Sequence, residues 1–483
     1  MKPNYLLAVS GIIGALLMAG QTHGQSTLDR GKQPPGQPVP TVKLPAIQKF
    51  TLPNGLKVLL VENHELPLVA FNLVVNAGTE FDPLDQPGLS SMTADMMDEG
   101  TKSRTALQIA DEIDFIGASM DVRATTDGTF ASLNTLTKHT DAALNVFADV
   151  LLHPTFPQAE FDRIKNQRLT SILQQKDQPG TIASNAFSYV VYGPQHPYGI
   201  NSSGTESSIS NLTRENLVSF YGSHYLPNNA TMVVVGDVSL ASVTPKLEKA
   251  FSSWKKGETR AASFPPTPSV DRRRVYMIDK PGAAQSEIRI GYPALARNTE
   301  DFQTVNLMNR VLGGQFSSRL NISLREKHGY TYGARSSFSF NKKPGPFIAN
   351  AAVTTAKTDS SILEFLSEID LMHNEGVTAD ELAFVKKGLT GNFALSFETP
   401  SQVANALRNL VLYDLPDDYY QTYLQAIDKV TLDEVKGAAK KYLDSSKMAV
   451  VFVGDLSVVR ESVEKMNFGE TVLCDTDGKK INP

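Results

Sequence analysis

Apolar and polar positions along the chain set out the same succession of elements twice. Aliphatic residues alternate or run together over Phe50–Val61 and Leu68–Val75, as in half-buried and buried strands, and Asn54-Gly55 inside the first run supplies a hairpin turn. Ala142, Leu144, Phe147, Val150 and Leu151 then recur at helical spacing, Pro154 and Pro157 mark a turn, and a long charged helix is predicted from about Gln158. Ile362, Phe365, Leu366, Ile369 and Leu371 repeat that pattern, followed by a turn at Gly376, Thr378 as a helix cap and another long helix. Each round closes alike: NLTRENLVSFYGSHYLPNNATMVVVGD at 211–237 and KVTLDEVKGAAKKYLDSSKMAVVFVGD at 429–455. Thr213 and Thr431, Gly236 and Gly454, and Asp237 and Asp455 all stand 218 positions apart.

A period of about 220 residues is too long for a solenoid and indicates two homologous halves. The boundaries read as 46–255 and 275–462, joined by a linker at 256–274 that carries Pro265, Pro266 and Pro268, with a polar tail at 463–483. Strands, then helices, then a returning strand give an α+β expectation: in each half a mostly antiparallel sheet with helices packed on one face.

The first 24 residues read as a secretory signal peptide. Lys2 is the basic start, Tyr5 to Gly20 is apolar, and Thr22-His23-Gly24 is a small-residue cleavage site. The apolar run of about 16 residues is shorter than the roughly 20 needed to span a bilayer, so cleavage is preferred to an uncleaved anchor. Residues 25–45 hold five prolines and read as an extended leader. The expectation is a periplasmic or secreted protein with no membrane span in the mature chain.

Composition narrows the chemistry. A formal charge of −5 over 483 residues argues against nucleic acid as a partner. One cysteine, Cys474, rules out an internal disulfide framework and a cysteine-based zinc cluster, and in a polar tail without a neighbouring base it is not a candidate nucleophile. Eight histidines are present and no two lie within five residues of each other.

Several segments, in order over the duplicated chain, carry a resemblance: FTLPNGLKVLLVEN (50–63), NAGTEFDPLDQPGLSSMTADMMDEGT (76–101), HPYG (196–199), LPNNATMVVVGD (226–237) and LGGQFSSRLNISLREKHGYTYGARSSF (312–338). Together they resemble the pitrilysin/insulinase family of inverted-zincin metallopeptidases over nearly all of 46–462. Active members carry H-x-x-E-H on a helix, where two histidines at i and i+4 hold Zn²⁺ and the Glu activates water, with a Glu from a second helix completing the ligands. At the matching positions this chain has Ser91, Ala94 and Asp95, and the second-helix Glu falls near Thr170 or Ser171. The resemblance therefore implies a zinc-free chain.

Two readings of the acidic stretch stay open. Asp95, Asp98 and Glu99, at i, i+3 and i+4, form either a hard-ion site or a solvated acidic face before Gly100; Leu89, Met92 and Met96 are core residues.

In the family an Arg and a Tyr seven residues apart complete a zinc site in the other half or in another chain. LREKHGYTY (324–332) offers Arg325 and Tyr332 at that spacing, with Tyr330 as the alternative. Phe316, Leu320 and Leu324 have helical spacing, Gly329 breaks the helix, and Tyr330 to Phe340 alternates as a strand. The resemblance implies that Arg325 holds substrate carbonyls and Tyr332 stabilises an oxyanion. The alternative is that Arg325 complements a helix C-terminus and Tyr332 packs at a strand edge. The family's peptide-binding edge matches GASMDVRATTDGT (117–129), where Asp121-Val122 replaces the Asn-Ala of active members. His196 belongs to a family structural motif, and His64, His139, His153, His224, His328 and His373 read as surface or packing residues.

The resulting expectation is a non-zinc-binding subunit of a bacterial two-chain peptidase, similar to the mitochondrial processing peptidase alpha subunit. It would pair with a paralogous H-x-x-E-H chain that holds the zinc and act on peptides. A scaffold or binding protein with no part in hydrolysis is the rival reading.

Overall fold

Each half of the chain builds a six-stranded sheet around its most aliphatic segment, VVVG in one half and VVFVG in the other. The structure, a computed structural model, describes residues 46–481; the signal peptide and the leader lie outside the described residues. The first sheet contains β1 (Gln48–Thr51), β2 (Lys57–Glu62), β3 (Leu68–Val75), β4 (Ser119–Thr125), β5 (Gly128–Leu136) and β6 (Ala230–Gly236) in the order β1-β2-β6-β3-β5-β4. The second contains β7 (Arg274–Asp279), β8 (Gln285–Leu295), β9 (Thr331–Phe338), β10 (Gly345–Thr354), β11 (Ala449–Gly454) and β12 (Glu470–Cys474) in the order β12-β7-β11-β8-β10-β9.

The orders match strand for strand. In each half the returning strand inserts between two earlier consecutive strands, parallel to one and antiparallel to the other: β6 between β2 and β3, β11 between β7 and β8. Insertion pairs both edges of the returning strand, and helices cover both of its faces, which accounts for unbroken aliphatic runs instead of alternation. The halves differ at the sixth strand. β1 precedes its sheet and pairs antiparallel, whereas β12 follows its sheet and pairs parallel to β7. The polar tail is thus corrected: residues 470–474 are an edge strand, and Val472 and Cys474 turn inward from it.

The first half carries α1 (Leu89–Asp95), α2 (Ala106–Phe115), α3 (Thr140–Leu152), α4 (Gln158–Gln175), α5 (Pro179–Tyr192), α6 (Glu206–Asn211), α7 (Arg214–His224) and α8 (Leu240–Phe251). The second carries α9 (Phe302–Leu312), α10 (Thr358–Glu375), α11 (Ala379–Phe393), α12 (Pro400–Leu412), α13 (Tyr419–Lys429), α14 (Leu432–Tyr442) and α15 (Leu456–Lys465), with a short helical turn over 319–327 before β9. Thr213 and Thr431 cap α7 and α14 through reciprocal capping boxes, so the repeat holds down to its caps. No helix among the described residues is long and apolar enough to cross a membrane.

Most helices of a half lie on one face of its own sheet, as Phe71, Leu73, Met232 and Val234 do with Phe147 and Leu217 in the first half. The opposite faces are covered by exchange. Val403, Ala404, Leu407 and Leu410 of α12 pack on Leu59, Val61, Ala70, Val233 and Val235 of the first sheet. Ile182, Ala183, Ala186 and Phe187 of α5 pack on Ile278, Val451 and Val453 of the second. The halves are further joined by a polar cluster. Asp127 accepts from the Tyr198 hydroxyl at 2.6 Å and from the Lys342 backbone N–H at 2.8 Å, and the Lys342 ammonium donates to the Asp127 carbonyl.

Candidate functional site

The helix that aligns with the family's metal helix is short. Asp82 anchors its start by accepting the Gly88 and Ser90 backbone N–H groups, each at 2.8 Å. Leu89, Met92 and Met96 are buried in the core as expected. Ala94, at the position of the water-activating Glu, is fully buried. Helix α1 ends at Asp95, so Asp98 and Glu99 lie in the following bend and the three carboxylates do not share one helix face.

Ser91 and Asp95 face α4, and the residue that meets them is Arg168. Its guanidinium donates to Ser91 Oγ at 3.1 Å, to the Asp95 carboxylate, and to the Ser203 carbonyl at 3.1 Å. Thr170 and Ser171 are not the facing residues. Thr170 is exposed and its hydroxyl donates to the Asn166 carbonyl one turn back. Burial pushes the Asp95 carboxyl up from the usual carboxylate range, and Arg168 opposes that shift. Arg163, also on α4, pairs with Glu99.

A zinc site needs about four nitrogen, sulfur or oxygen donors converging on one point. Here that point offers a hydroxyl, a buried methyl and one carboxylate already held by a guanidinium, so the residues do not fit the ion. Among the described residues no group of three or more His, Cys, Asp and Glu side chains is placed to hold a metal. Asp98, buried beside Glu99, Asp95 and Asp121, has its carboxyl pushed up to about 6. In place of a hard-ion site, the acidic stretch shows Asp95 and Glu99 answered by α4 arginines.

The second candidate site lies where the 319–327 turn enters β9. The expected helix is present but begins at Arg319, leaving Phe316 outside it, and it loosens to a π-helix over Ile322–Lys327 that contains Arg325. π-turns are rare and recur at functional sites. Gly329, at φ +66°, turns the chain; its N–H bonds the Arg325 carbonyl at 3.1 Å and the Tyr330 N–H bonds the Leu324 carbonyl at 2.9 Å. Asn321 then ties turn to strand, accepting the Ala334 N–H and donating to the Phe316 carbonyl.

The Arg325 guanidinium lies over the Phe316 ring, 4.6 Å from its centroid, and its Nε is 3.4 Å from Glu326. Tyr332 is 91% exposed, an extreme value for so large a ring, and Phe316 is also exposed. Tyr332 lies on β9, which pairs only with β10 and ends its sheet. Tyr330, the alternative phenol, instead stacks on His328 at 5.0 Å. β4, which contains Asp121 and Val122, ends the first sheet in the equivalent place, and Asp121 adds negative charge beside Asp95 and Asp98.

Other polar residues have structural roles. His196 is buried among Tyr192, Tyr198 and Phe264, and accepts the Tyr198 N–H. His64 meets Asp237 at 2.7 Å and His153 meets Asp149 at 3.2 Å, so these two have carboxylate partners. Burial pushes the Cys474 thiol up to about 11, which leaves it unreactive. Sequence reasoning missed Arg168 because one cation in a charged helix carries no mark of what it faces.

Residues 57–192 match the family described as Insulinase (Peptidase family M16), and residues 211–389 match the Peptidase M16 inactive domain. The chain is 26% identical to an uncharacterized zinc protease, YmxG, of Bacillus subtilis, over 82% of this chain and 95% of that one. It is 25% identical to the non-peptidase homolog YmxG of Helicobacter pylori, over 82% and 91% of the two chains. A crystal structure of a peptidase M16 inactive domain from Pseudomonas fluorescens superposes with a TM-score of 0.80 at 30% identity, covering 85% of this chain and 98% of that one. The chain belongs to the insulinase family, peptidase family M16. Within that family its metal-helix positions are those of a member without the catalytic motif.

Proposed function

We propose that this chain is the zinc-free subunit of a two-chain metallopeptidase, secreted or periplasmic, whose partner is a paralogue carrying H-x-x-E-H. The observation that carries this reading is the guanidinium of Arg168 bound to Ser91 and Asp95, where active relatives place a metal ion. A fixed internal cation removes the need for zinc while keeping the fold's charge balance. Arg325 and Tyr332 are the residues this chain offers to the partner's site, with the zinc held entirely by the partner. The solvent-facing phenol and the π-turn support this assignment. The arginine supplies planar donors for peptide carbonyls, and the phenol supplies one donor to a developing oxyanion.

The reading is tested by metal analysis and peptide hydrolysis on the mature chain, alone and mixed with the paralogue. It expects no stoichiometric zinc and no hydrolysis alone, and hydrolysis on mixing that exceeds the rate of the paralogue alone. Stoichiometric zinc with activity in the lone chain would overturn it. A partner rate indifferent to the chain would leave the scaffold reading in its place.

A further inference from the structure

A cavity of about 580 Å³ opens among α9, α11, α12 and α13, and none of Ser91, Asp95, Arg325 or Tyr332 lines it. Its walls are aromatic. Phe393 and Tyr423 stack at 4.9 Å between centroids and 9° between planes, and Phe397 and Tyr420 meet edge to face at 5.3 Å. Two arginines line it and no carboxylate does. The Arg297 guanidinium lies between the rings of Phe302 and Tyr419, 3.6 Å and 4.9 Å from their centroids. Arg310 has its Nε buried without a hydrogen-bond partner. Among the described residues neither arginine forms an ion pair of 4.0 Å or less with an acid.

This arrangement is costly as it stands. Both arginines are only partly exposed and the Arg310 Nε is buried, so each guanidinium needs a compensating charge or hydrogen bonds. Aromatic faces hold Arg297 by cation–π attraction but accept no N–H bonds in the fork geometry that guanidinium prefers. A carboxylate delivered from outside would supply that acceptor. The stacked rings leave room beside it for a flat or apolar body, and the amides of Asn392, Asn405 and Asn409 supply donors and acceptors for peptide groups.

We infer that this cavity binds a carboxylate attached to an aromatic or apolar body, with Arg297 and Arg310 as its anion-binding groups. Two sources share that chemistry: the free C-terminus of a short peptide ending in an aromatic residue, and a small aromatic acid. The cavity volume falls within the range of small-ligand sites. The inference does not rest on the zinc-bearing partner and is tested on the lone mature chain.

Calorimetric titration with Ala-Ala-Phe, its C-terminal amide, and N-acetyl-phenylalanine tests it. The free acid is expected to bind saturably and at least about 10-fold tighter than the amide, since amidation removes the charge-assisted bond to the arginines. Arg310→Met is expected to weaken the acid by a similar factor while leaving the amide unchanged. Tighter binding of the tripeptide than of N-acetyl-phenylalanine assigns the site to peptide ends, and equal binding assigns it to small acids; either supports the carboxylate site. Equal affinity for acid and amide, or no saturable binding of any of the three, would overturn it. The comparison of acid with amide uses the unmodified chain, so it stands even where Arg310→Met fails to fold.

Discussion

Arg168 of α4 donates to both Ser91 Oγ and the Asp95 carboxylate of α1, and so bridges the two positions that hold zinc-binding histidines in active relatives. A guanidinium at this junction does what a metal would do for the fold: it ties the two helices by a positive charge. Its side chain is 14% exposed, whereas Asp95 is 38% exposed and partly screened. Arg168→Met should therefore cost about 1–2 kcal/mol in urea unfolding. Asp95→Asn combined with Arg168→Met should cost less than the two single effects added, since the double variant leaves no charge unpaired.

The Asp127 cluster should act as the latch between the halves. Asp127 is 5% exposed and accepts from Tyr198 and Lys342, which come from opposite halves. Asp127→Ala leaves a buried hydroxyl and an N–H without their acceptor, at a cost of about 2–3 kcal/mol. Hydrogen exchange should rise first at the 341–345 loop and at 197–199, ahead of the sheet centres.

Stability should fall toward alkaline pH through Glu80. Burial raises its carboxyl to about 8, with Lys342 at 4.0 Å opposing the shift and Asp127 and Asp82 reinforcing it. The folded chain holds this proton while the unfolded chain releases it near 4.5, so stability is lost as pH rises from about 4.5 to 8. Glu80→Gln should raise Tm at pH 8.5 by at least about 2 °C and leave it unchanged near pH 4. A variant equally shifted at both pH values would show that packing, not titration, sets the effect.

Gly329 should matter more for function than for stability. Its φ of +66° is open to glycine, and a Cβ there meets nothing within 4 Å. Gly329→Ala should cost about 1 kcal/mol through backbone strain alone. It should also shift the turn that carries Arg325, whose carbonyl accepts the Gly329 N–H, and so reduce the chain's stimulation of a partner by more than that small loss would suggest.

The duplication was legible because β6 and β11 are buried on both faces and must be aliphatic throughout, and because the caps Thr213 and Thr431 recur in step. The exchanged helices were not legible. Periodicity shows that α5 and α12 have an apolar face, but not that this face covers the other half's sheet. β12 was hidden because it is a five-residue edge strand between polar stretches, beyond the last repeated unit, and buries only Val472 and Cys474. The end of α1 at Asp95 was hidden too, since the acidic residues beyond it keep helical spacing without the helix. Arg168 depends on a contact between residues 73 and 77 positions apart, which local pattern does not encode.

The central claim is that this chain lends Arg325 and Tyr332 to a metal site it does not contain. The most direct test is the peptide-hydrolysis rate of the H-x-x-E-H paralogue mixed with this chain, compared with the same mixture containing Arg325→Ala and Tyr332→Phe. The account predicts that the double variant still associates but loses at least about 10²-fold in rate. An unchanged rate with intact association would contradict it.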